Sequence, residues 1–349
     1  MINPDEFDGG LRYGPKTFAE VTGRNRVWSV EPHVVDMFRR KECPVCGVPV
    51  VFGKEPYEHL WDKCDGVNDW EYVRCNRCGA IYTANPPTPE ALERVYKSFP
   101  AQQEWLRTQQ NEVELALDRK KFQWGLEMAG WPFGDRRILD IGCSTGTLLE
   151  VAGEMADNSD ISTSTLLAGE DVNTDALEIA GVRLRSREWR HALMVIRTIP
   201  GLSPWKDGFD LVVLWEVLEH VLDPLAMLKR AAGFLAPGGK MLICVPNADS
   251  LAVKILHEKA PVFGLGHLQI FSADTLNRLF ARAEIGLKSV EYISIISWYK
   301  EIANWLTLHG WNGADGPAVP PQDFLLPSPE HIREGLLGYK LVCLVEKAL

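Results

Sequence analysis

From about residue 134 onward, short apolar runs alternate with segments of helical spacing. Arg137-Ile138-Leu139-Asp140-Ile141 is a strand-like run, Gly142-Cys143-Ser144-Thr145-Gly146 interrupts it, and Thr147-Leu148-Leu149 opens a Leu-rich helical segment. Leu166 to Val172 reads as a second strand, closing on the acids Glu170 and Asp171. Phe209 to Trp215 has the composition of a fully buried strand. Pro224 to Leu235 reads as a helix, Pro237-Gly238-Gly239 as its stop, and Lys240 to Val245 as another buried strand. This succession predicts a doubly wound parallel α/β sheet whose ligand crevice opens at the first glycine turn. Gly142 and Gly146 lack a Cβ, so positive φ and close approach carry no steric penalty there.

The flanks follow other rules. Residues 1–40 show no periodicity and read as an arm, with a short helix near Val34 to Arg40. Asn85-Pro86-Pro87-Thr88-Pro89 is a linker. Helical spacing follows over Glu90–Ser98, Gln102–Gln110 and Val113–Met128, with Trp105 and Trp124 marking buried faces. Such helices would cover the crevice or pack on the sheet. Asp157 to Thr165 is polar and predicts a surface loop. Leu287–Ile296 and Lys340–Leu349 predict a closing hairpin around an insert rich in Trp, Pro and Gly. Trp298, Tyr299, Trp305 and Trp311 of that insert are candidates for a wall over an acceptor or for the core of a small cap. Phe263-Gly264-Leu265-Gly266 reads as a mobile loop. The expected units are an arm with a cysteine module (1–85), a helical cap (86–133), a sheet domain (134–296) and a cap insert with the closing strand (297–349).

Composition narrows the function classes. With 46% hydrophobic and 24% charged residues the chain has ordinary globular composition. It has no apolar run of membrane-spanning length and no cationic-apolar leader, so no membrane partner and a cytoplasmic location are expected. A net charge of −10 argues against nucleic acid held through phosphate contacts. The run Arg183, Arg185, Arg187, Arg190 reads as a solvated face. Nothing in the pattern sets an oligomeric state.

Four of the eight cysteines form two matched units, Cys43-Pro44-Val45-Cys46-Gly47 and Cys75-Asn76-Arg77-Cys78-Gly79. Two thiolates two residues apart point to one side, and the following glycine permits the tight turn. Two such knuckles close a tetrahedral structural zinc site with no open coordination position. Cys64 reads as a spare thiol. Cys143, Cys244 and Cys343 lie in or beside predicted strands.

Leu139-Asp140-Ile141-Gly142-Cys143-Ser144-Thr145-Gly146 resembles the first motif of class I S-adenosylmethionine-dependent methyltransferases. Phe209-Asp210-Leu211-Val212, Leu218-Glu219-His220-Val221, Leu235-Ala236-Pro237-Gly238-Gly239 and Val245-Pro246-Asn247 are similar to its later signatures. So is His267-Leu268-Gln269-Ile270-Phe271-Ser272, with an amphipathic helix to about Ala283. The match keeps order and spacing over roughly residues 134 to 295. The knuckles are similar to those of bacterial methyltransferases of sugars and secondary metabolites. The resemblance implies a Rossmann-like sheet of seven strands. It implies that Asp140, Gly142, Cys143 and Gly146 line the methionine and ribose of S-adenosyl-L-methionine. Asp171 would grip the ribose diol, with Glu170 the second choice, and Trp215 and Glu216 would stand near the methyl group. Where the family carries an acid for adenine, this chain reads Val195-Ile196-Arg197-Thr198-Ile199-Pro200-Gly201-Leu202, so backbone groups are expected there.

Methyl transfer from a sulfonium needs an aligned nucleophile and often a base. Glu216, Glu219 and His220 have i, i+3, i+4 spacing and would share a helix face. With His267 they resemble the metal site of small-RNA 2′-O-methyltransferases, and a related element recurs in ubiquinone-biosynthesis O-methyltransferases. A divalent ion there, Mg²⁺ or another, would bind both oxygens of a diol. Without one, His267 or His220 is the general base, and the segment also packs without metal in many relatives. The expected activity is methylation of a hydroxyl on a small metabolite or sugar. Alternatives are carbon methylation of a nucleotide sugar, metal-dependent 2′-O methylation of RNA, and a non-catalytic cofactor-binding or scaffold role.

Overall fold

The computed structural model describes residues 36–50, 57–64, 69–98, 106–107, 109–132, 136–159, 165–189, 191–197, 199, 205–260, 262–263, 266–295 and 329–349. Trp105 and the four aromatic residues Trp298, Tyr299, Trp305 and Trp311 lie outside them, as does most of the predicted polar loop. Among the described residues no helix is long and apolar enough to cross a membrane.

The cysteine module contributes three strands, β1 (Tyr57–Cys64), β2 (Asp69–Cys75) and β3 (Ile81–Thr83). Before them, Asp36 to Arg40 is extended rather than helical, because Met37 bridges to Pro87 and Phe38 and Arg40 donate to Pro86 O and Ala84 O. Helices α1 (Pro89–Ser98) and α2 (Glu112–Ala129) follow among the described residues; most of the predicted Gln102–Gln110 helix lies outside them. Trp124 and Leu126 of α2 are buried in the core beside Leu148 and Leu149, so α2 packs on the sheet domain.

The glycine-turn unit folds as read, with β4 (Arg137–Ile141) running into α3 (Thr147–Asp157). The chain continues through β5 (Leu166–Glu170), α4 (Thr174–Arg185), β6 (Ala192–Ile196), β7 (Phe209–Trp215), α5 (Pro224–Phe234) and β8 (Leu235–Pro246). Then come α6 (Leu251–Leu256), β9 (Gln269–Ile270), α7 (Ala273–Ala283), β10 (Leu287–Ile295), α8 (Pro329–Glu334) and β11 (Lys340–Lys347). Local chemistry explains the helix starts. Asn173 caps α4, Asp223 caps α5 ahead of Pro224, and Ser272 with Thr275 forms a capping box on α7. Pro237-Gly238-Gly239 falls inside β8, where pairing with β7 jumps from Leu235 to Lys240 and Gly238 takes φ +71°. It ends the helix and kinks the entering strand.

The large sheet has the order β10-β11-β8-β7-β4-β5-β6. Strands β4 to β8 are parallel, and β11 and β10 close the edge antiparallel. From central β4 the chain moves outward to β5 and β6, then returns to add β7 and β8 on the other side. The crevice at that reversal faces the C-terminal ends of the strands. The seven-stranded Rossmann-like sheet is the expected one. A second sheet, β1-β2-β3-β9, takes its fourth strand from beyond β8. One apolar cluster runs from Cys43 and Val45 through Tyr82 to Leu139, Val212 and Leu279. The cysteine module and the large domain therefore share a core and a strand pairing.

Candidate functional site

Asp140, at the C-terminal end of β4, is 3% exposed. Gly142, Ser144 and Gly146 all have positive φ, at +78°, +48° and +78°. Alternating positive φ closes the chain into a tight turn whose N–H groups bond within the protein, Gly146 N–H donating to Cys143 O at 2.8 Å. Gly142 N–H and Cys143 N–H donate to Glu170 O at 2.8 and 3.0 Å, tying the turn to β5. The N-terminus of α3 carries no side-chain cap. A Cβ on Gly142 would stand 2.6 Å from Val217 Cγ2, and one on Gly146 3.0 Å from Ala180 Cβ. Packing as well as conformation therefore demands glycine at both positions. Cys143 is buried, with its thiol against Gly169, so it offers the turn its backbone.

The two acids at the end of β5 diverge. Asp171 accepts from Ser144 N–H at 2.8 Å and Asn173 N–H at 2.7 Å, which places its carboxylate on the glycine turn. Glu170 instead accepts from Ile199 N–H at 2.7 Å and pairs with the Arg230 guanidinium on α5. Burial raises the carboxyl pKa of Asp171, against the pull of those N–H groups. Burial and then the Asp171 charge raise that of Asp140 well above its ordinary value. Arg183, read as part of a solvated face, donates to Thr145 O, Thr145 Oγ1 and Thr147 Oγ1. Arg187 of the same run pairs with Glu150 and Glu154. Arg183 turns inward because buried acceptors on the turn lie within reach, whereas Arg187 stays on the exposed face expected of the run.

Trp215 ends β7 against α2, edge-on to Phe122 at 5.3 Å. Glu216 follows in the left-handed region, φ +57°, and its carboxylate pairs with Lys340 on β11. Residues 216–220 form a turn, not a helix, so the i, i+3, i+4 argument does not apply. The structure gathers Glu219, His220 and His267, whose ligating atoms lie within 4.8 Å of one another, and leaves Glu216 with Lys340. Glu219 is 0% exposed and neither of its carboxylate oxygens has a hydrogen-bond partner. Burial pushes its pKa up to about 8. The imidazole rings stand 4.8 Å apart, edge to face. His220 Nδ1 meets Gly266 O at 2.8 Å and His267 Nδ1 meets Val262 O at 2.6 Å. Donation to those carbonyls fixes the proton on Nδ1 and the lone pair of each neutral ring on Nε2. Burial, reinforced by His267, pushes His220 down to about 3, with the Gly266 bond opposing. Gly266 has φ +86°, and a Cβ there would stand 3.1 Å from His220 Nδ1, so the end of the predicted mobile loop is the seat of this ring.

The four knuckle cysteines form a second cluster. Gly47 and Gly79 take φ +67° and +76° and donate to Cys43 O and Cys75 O, both at 2.9 Å, so the two knuckles are equivalent turns. The Sγ atoms of Cys43 and Cys78 are 3.7 Å apart, as are those of Cys46 and Cys75. Bonds of about 2.3 Å at tetrahedral angles separate two sulfurs by about 3.8 Å, so the cage has the size zinc requires. Arg282 of α7 donates to Pro44 O and Val45 O at 3.4 Å, bracing the first knuckle from the large domain. Arg40, Arg282 and Lys340 gave no signal in sequence, since none belongs to a motif and their partners are remote along the chain; Gln269 lies within the His267–Ser272 signature, which assigned it no role.

A methyltransferase-domain family model matches residues 113–291, just over half of the chain. The ubiquinone biosynthesis O-methyltransferase of Parvibaculum lavamentivorans is 34% identical over 135 residues, 37% of this chain and 48% of that protein. The enzyme of the same name from Xanthomonas euvesicatoria is 35% identical over 135 residues, 37% of this chain and 50% of that protein. The chain thus spans about half the length of the curated relatives it matches. A solved SAM-dependent methyltransferase from Archaeoglobus fulgidus superposes with a TM-score of 0.46 at 16% identity, covering 70% of this chain and 99% of that one. One from Aquifex aeolicus gives 0.44 at 12% identity, covering 70% and 98%. The family match takes in the glycine turn, the parallel strands and the Glu219–His267 cluster, and the chain belongs to the methyltransferase-domain family.

Proposed function

We propose that the methyl group goes to a hydroxyl oxygen of a small metabolite, a sugar among the possible classes, and that Glu219, His220 and His267 handle the acceptor. The observation that carries this reading is the meeting of His267 with His220 and Glu219, the latter two on the turn that packs on Gly142 through Val217, and the absence of any hydrogen-bond partner for the buried Glu219 carboxylate. S-adenosylmethionine, when bound, supplies an electrophilic methyl on a sulfonium. On this side Asp140, Gly142, Cys143 and Gly146 hold its methionine and ribose, and Asp171 accepts from the ribose hydroxyls with the lone pairs it does not give to Ser144 and Asn173. Trp215 and Glu216 border the methyl end. O-methyltransferase names among the relatives support oxygen as the atom methylated.

The chemistry of the trio fits a divalent ion. Two imidazoles with Nδ1 donated to carbonyls and one carboxylate make a donor set that suits Mg²⁺, Mn²⁺ or a later first-row metal. Bound there, the ion would lower the pKa of an acceptor hydroxyl. Without it, a histidine of the pair takes that proton. The knuckle cysteines hold structural zinc, for which their spacing is matched.

The test is product analysis with a panel of hydroxylated small molecules and methyl-labelled cofactor, before and after chelation. We expect label in a methoxy group, lost on chelation and restored by Mg²⁺ or Mn²⁺. Glu219→Gln and His267→Gln should each lower turnover by about 100-fold, with S-adenosylhomocysteine affinity unchanged within about twofold. Label on carbon, or hydrogen exchange of a substrate C–H without methyl transfer, would replace this reading by carbon methylation of a nucleotide sugar.

A further inference from the structure

The turn that carries Glu219 and His220 is closed by His220 N–H donating to Val217 O at 3.0 Å, and its carbonyls are held by groups from elsewhere. The carbonyls of Leu218, Glu219, Val221 and Leu222 all accept hydrogen bonds from Arg40, Leu268 or Gln269. Gln269, 0% exposed, donates its Nε2 to Leu218 O and to Val221 O at 2.8 Å. Leu268 N–H and Gln269 N–H donate to Glu219 O at 2.7 and 3.4 Å. Arg40 precedes the first knuckle. It donates to Thr83 O at 3.1 Å, to Leu222 O at 2.9 Å and to the Gln269 Oε1 at 3.4 Å. One guanidinium thus ties the module's third strand to the turn and to its clamp.

The segment carrying His267 hangs from the same module. Tyr72 Oη donates to His267 O at 3.0 Å, Thr83 N–H and Oγ1 donate to Leu268 O at 2.9 and 3.2 Å, and β3 pairs with β9. By contrast, Asp171 and Arg183, whose side chains hydrogen-bond the glycine turn, lie next to or in α4.

We propose that Arg40 and Gln269 are positioning residues of the acceptor site, through which the four-cysteine module sets the geometry of Glu219, His220 and His267. This rests on the reading that the trio handles the acceptor. A fixed donor set needs its supporting groups locked, and altering such supports at a metal site typically weakens metal affinity 10–100-fold.

The test uses the full chain with zinc loaded, comparing wild type with Arg40→Met, Arg40→Lys and Gln269→Met. S-adenosylhomocysteine affinity is read by calorimetry and Mn²⁺ affinity by electron paramagnetic resonance of the free ion. Ring resonances of His220 and His267 are read by NMR, assigned with His220→Gln and His267→Gln. Arg40→Met and Gln269→Met should bind Mn²⁺ about 10–100-fold more weakly and move both histidine resonances, with cofactor-product affinity within twofold of wild type. Arg40→Lys, which keeps a donor for one carbonyl, should fall between. Unchanged Mn²⁺ affinity and unmoved resonances in any folded member of the Met pair overturn the proposal. If wild type itself binds no Mn²⁺, the divalent-ion reading fails, and the resonances alone decide: moved rings uphold the positioning role, unmoved rings overturn it.

Discussion

Gly142→Ala separates the two demands that make this residue a glycine. At φ +78° an L-residue sits in the left-handed region, and its Cβ would stand 2.6 Å from Val217 Cγ2. Gly79 has nearly the same φ, +76°, with nothing within 4 Å of its would-be Cβ, so Gly79→Ala measures the conformational cost alone. That cost is about 1–2 kcal/mol. Forcing Val217 aside adds about 1–3 kcal/mol, so Gly142→Ala should destabilise by roughly 2–5 kcal/mol. Val217→Ala removes the offending methyl, and in Gly142→Ala/Val217→Ala the repacking part should return as a favourable coupling of about 1–2 kcal/mol. Urea unfolding of the four variants, with zinc saturating, reads these numbers as midpoint shifts at constant slope. A Gly142→Ala cost no larger than that of Gly79→Ala, or a double variant with no coupling, would refute the reasoning. Because Val217 leads into the turn that bears Glu219, Gly142→Ala should also weaken S-adenosylhomocysteine binding more than Gly79→Ala does.

Two further outcomes follow from burial. Asp140 has its folded pKa raised by desolvation and by Asp171, so the folded chain binds a proton more readily than the unfolded one between the ordinary value of 3.8 and the raised value. Its contribution to stability therefore worsens as pH rises through that window and vanishes below it. Asp140→Asn should raise the melting temperature of the ligand-free protein at neutral pH, lose that advantage near pH 4, and bind S-adenosylhomocysteine more weakly; equal melting temperatures at pH 7 would count against it. Cys43→Ser should lower zinc content, measured by colorimetric release, and expose Tyr57 and Tyr82 to solvent quenching, because both rings share one core with the knuckles. Full zinc content in that variant would remove the four-cysteine assignment.

What the chain determined by itself was everything dictated by neighbouring residues. The passage from Ile138 through Gly142 and Gly146 to Leu148 fixes strand, turn and helix because the left-handed φ of the turn favours glycine at both positions. The matched CxxCG units fix equivalent turns for the same reason, and the helix from Pro224 and the amphipathic helix to about Ala283 follow from local pattern. Tertiary structure decided what contiguous residues cannot encode. Glu170 and Asp171 are adjacent in sequence, yet Arg230 claims one and the glycine turn the other. Glu216 leaves its expected partners because Lys340 stands beside it, and no periodicity survives in a turn without helical backbone. His220 meets His267, and Arg40 reaches Leu222 and Gln269, only because β3 pairs with β9 and brings distant segments together. A side chain on a turn points where its remote hydrogen-bond partners hold it, and those partners are set by the fold.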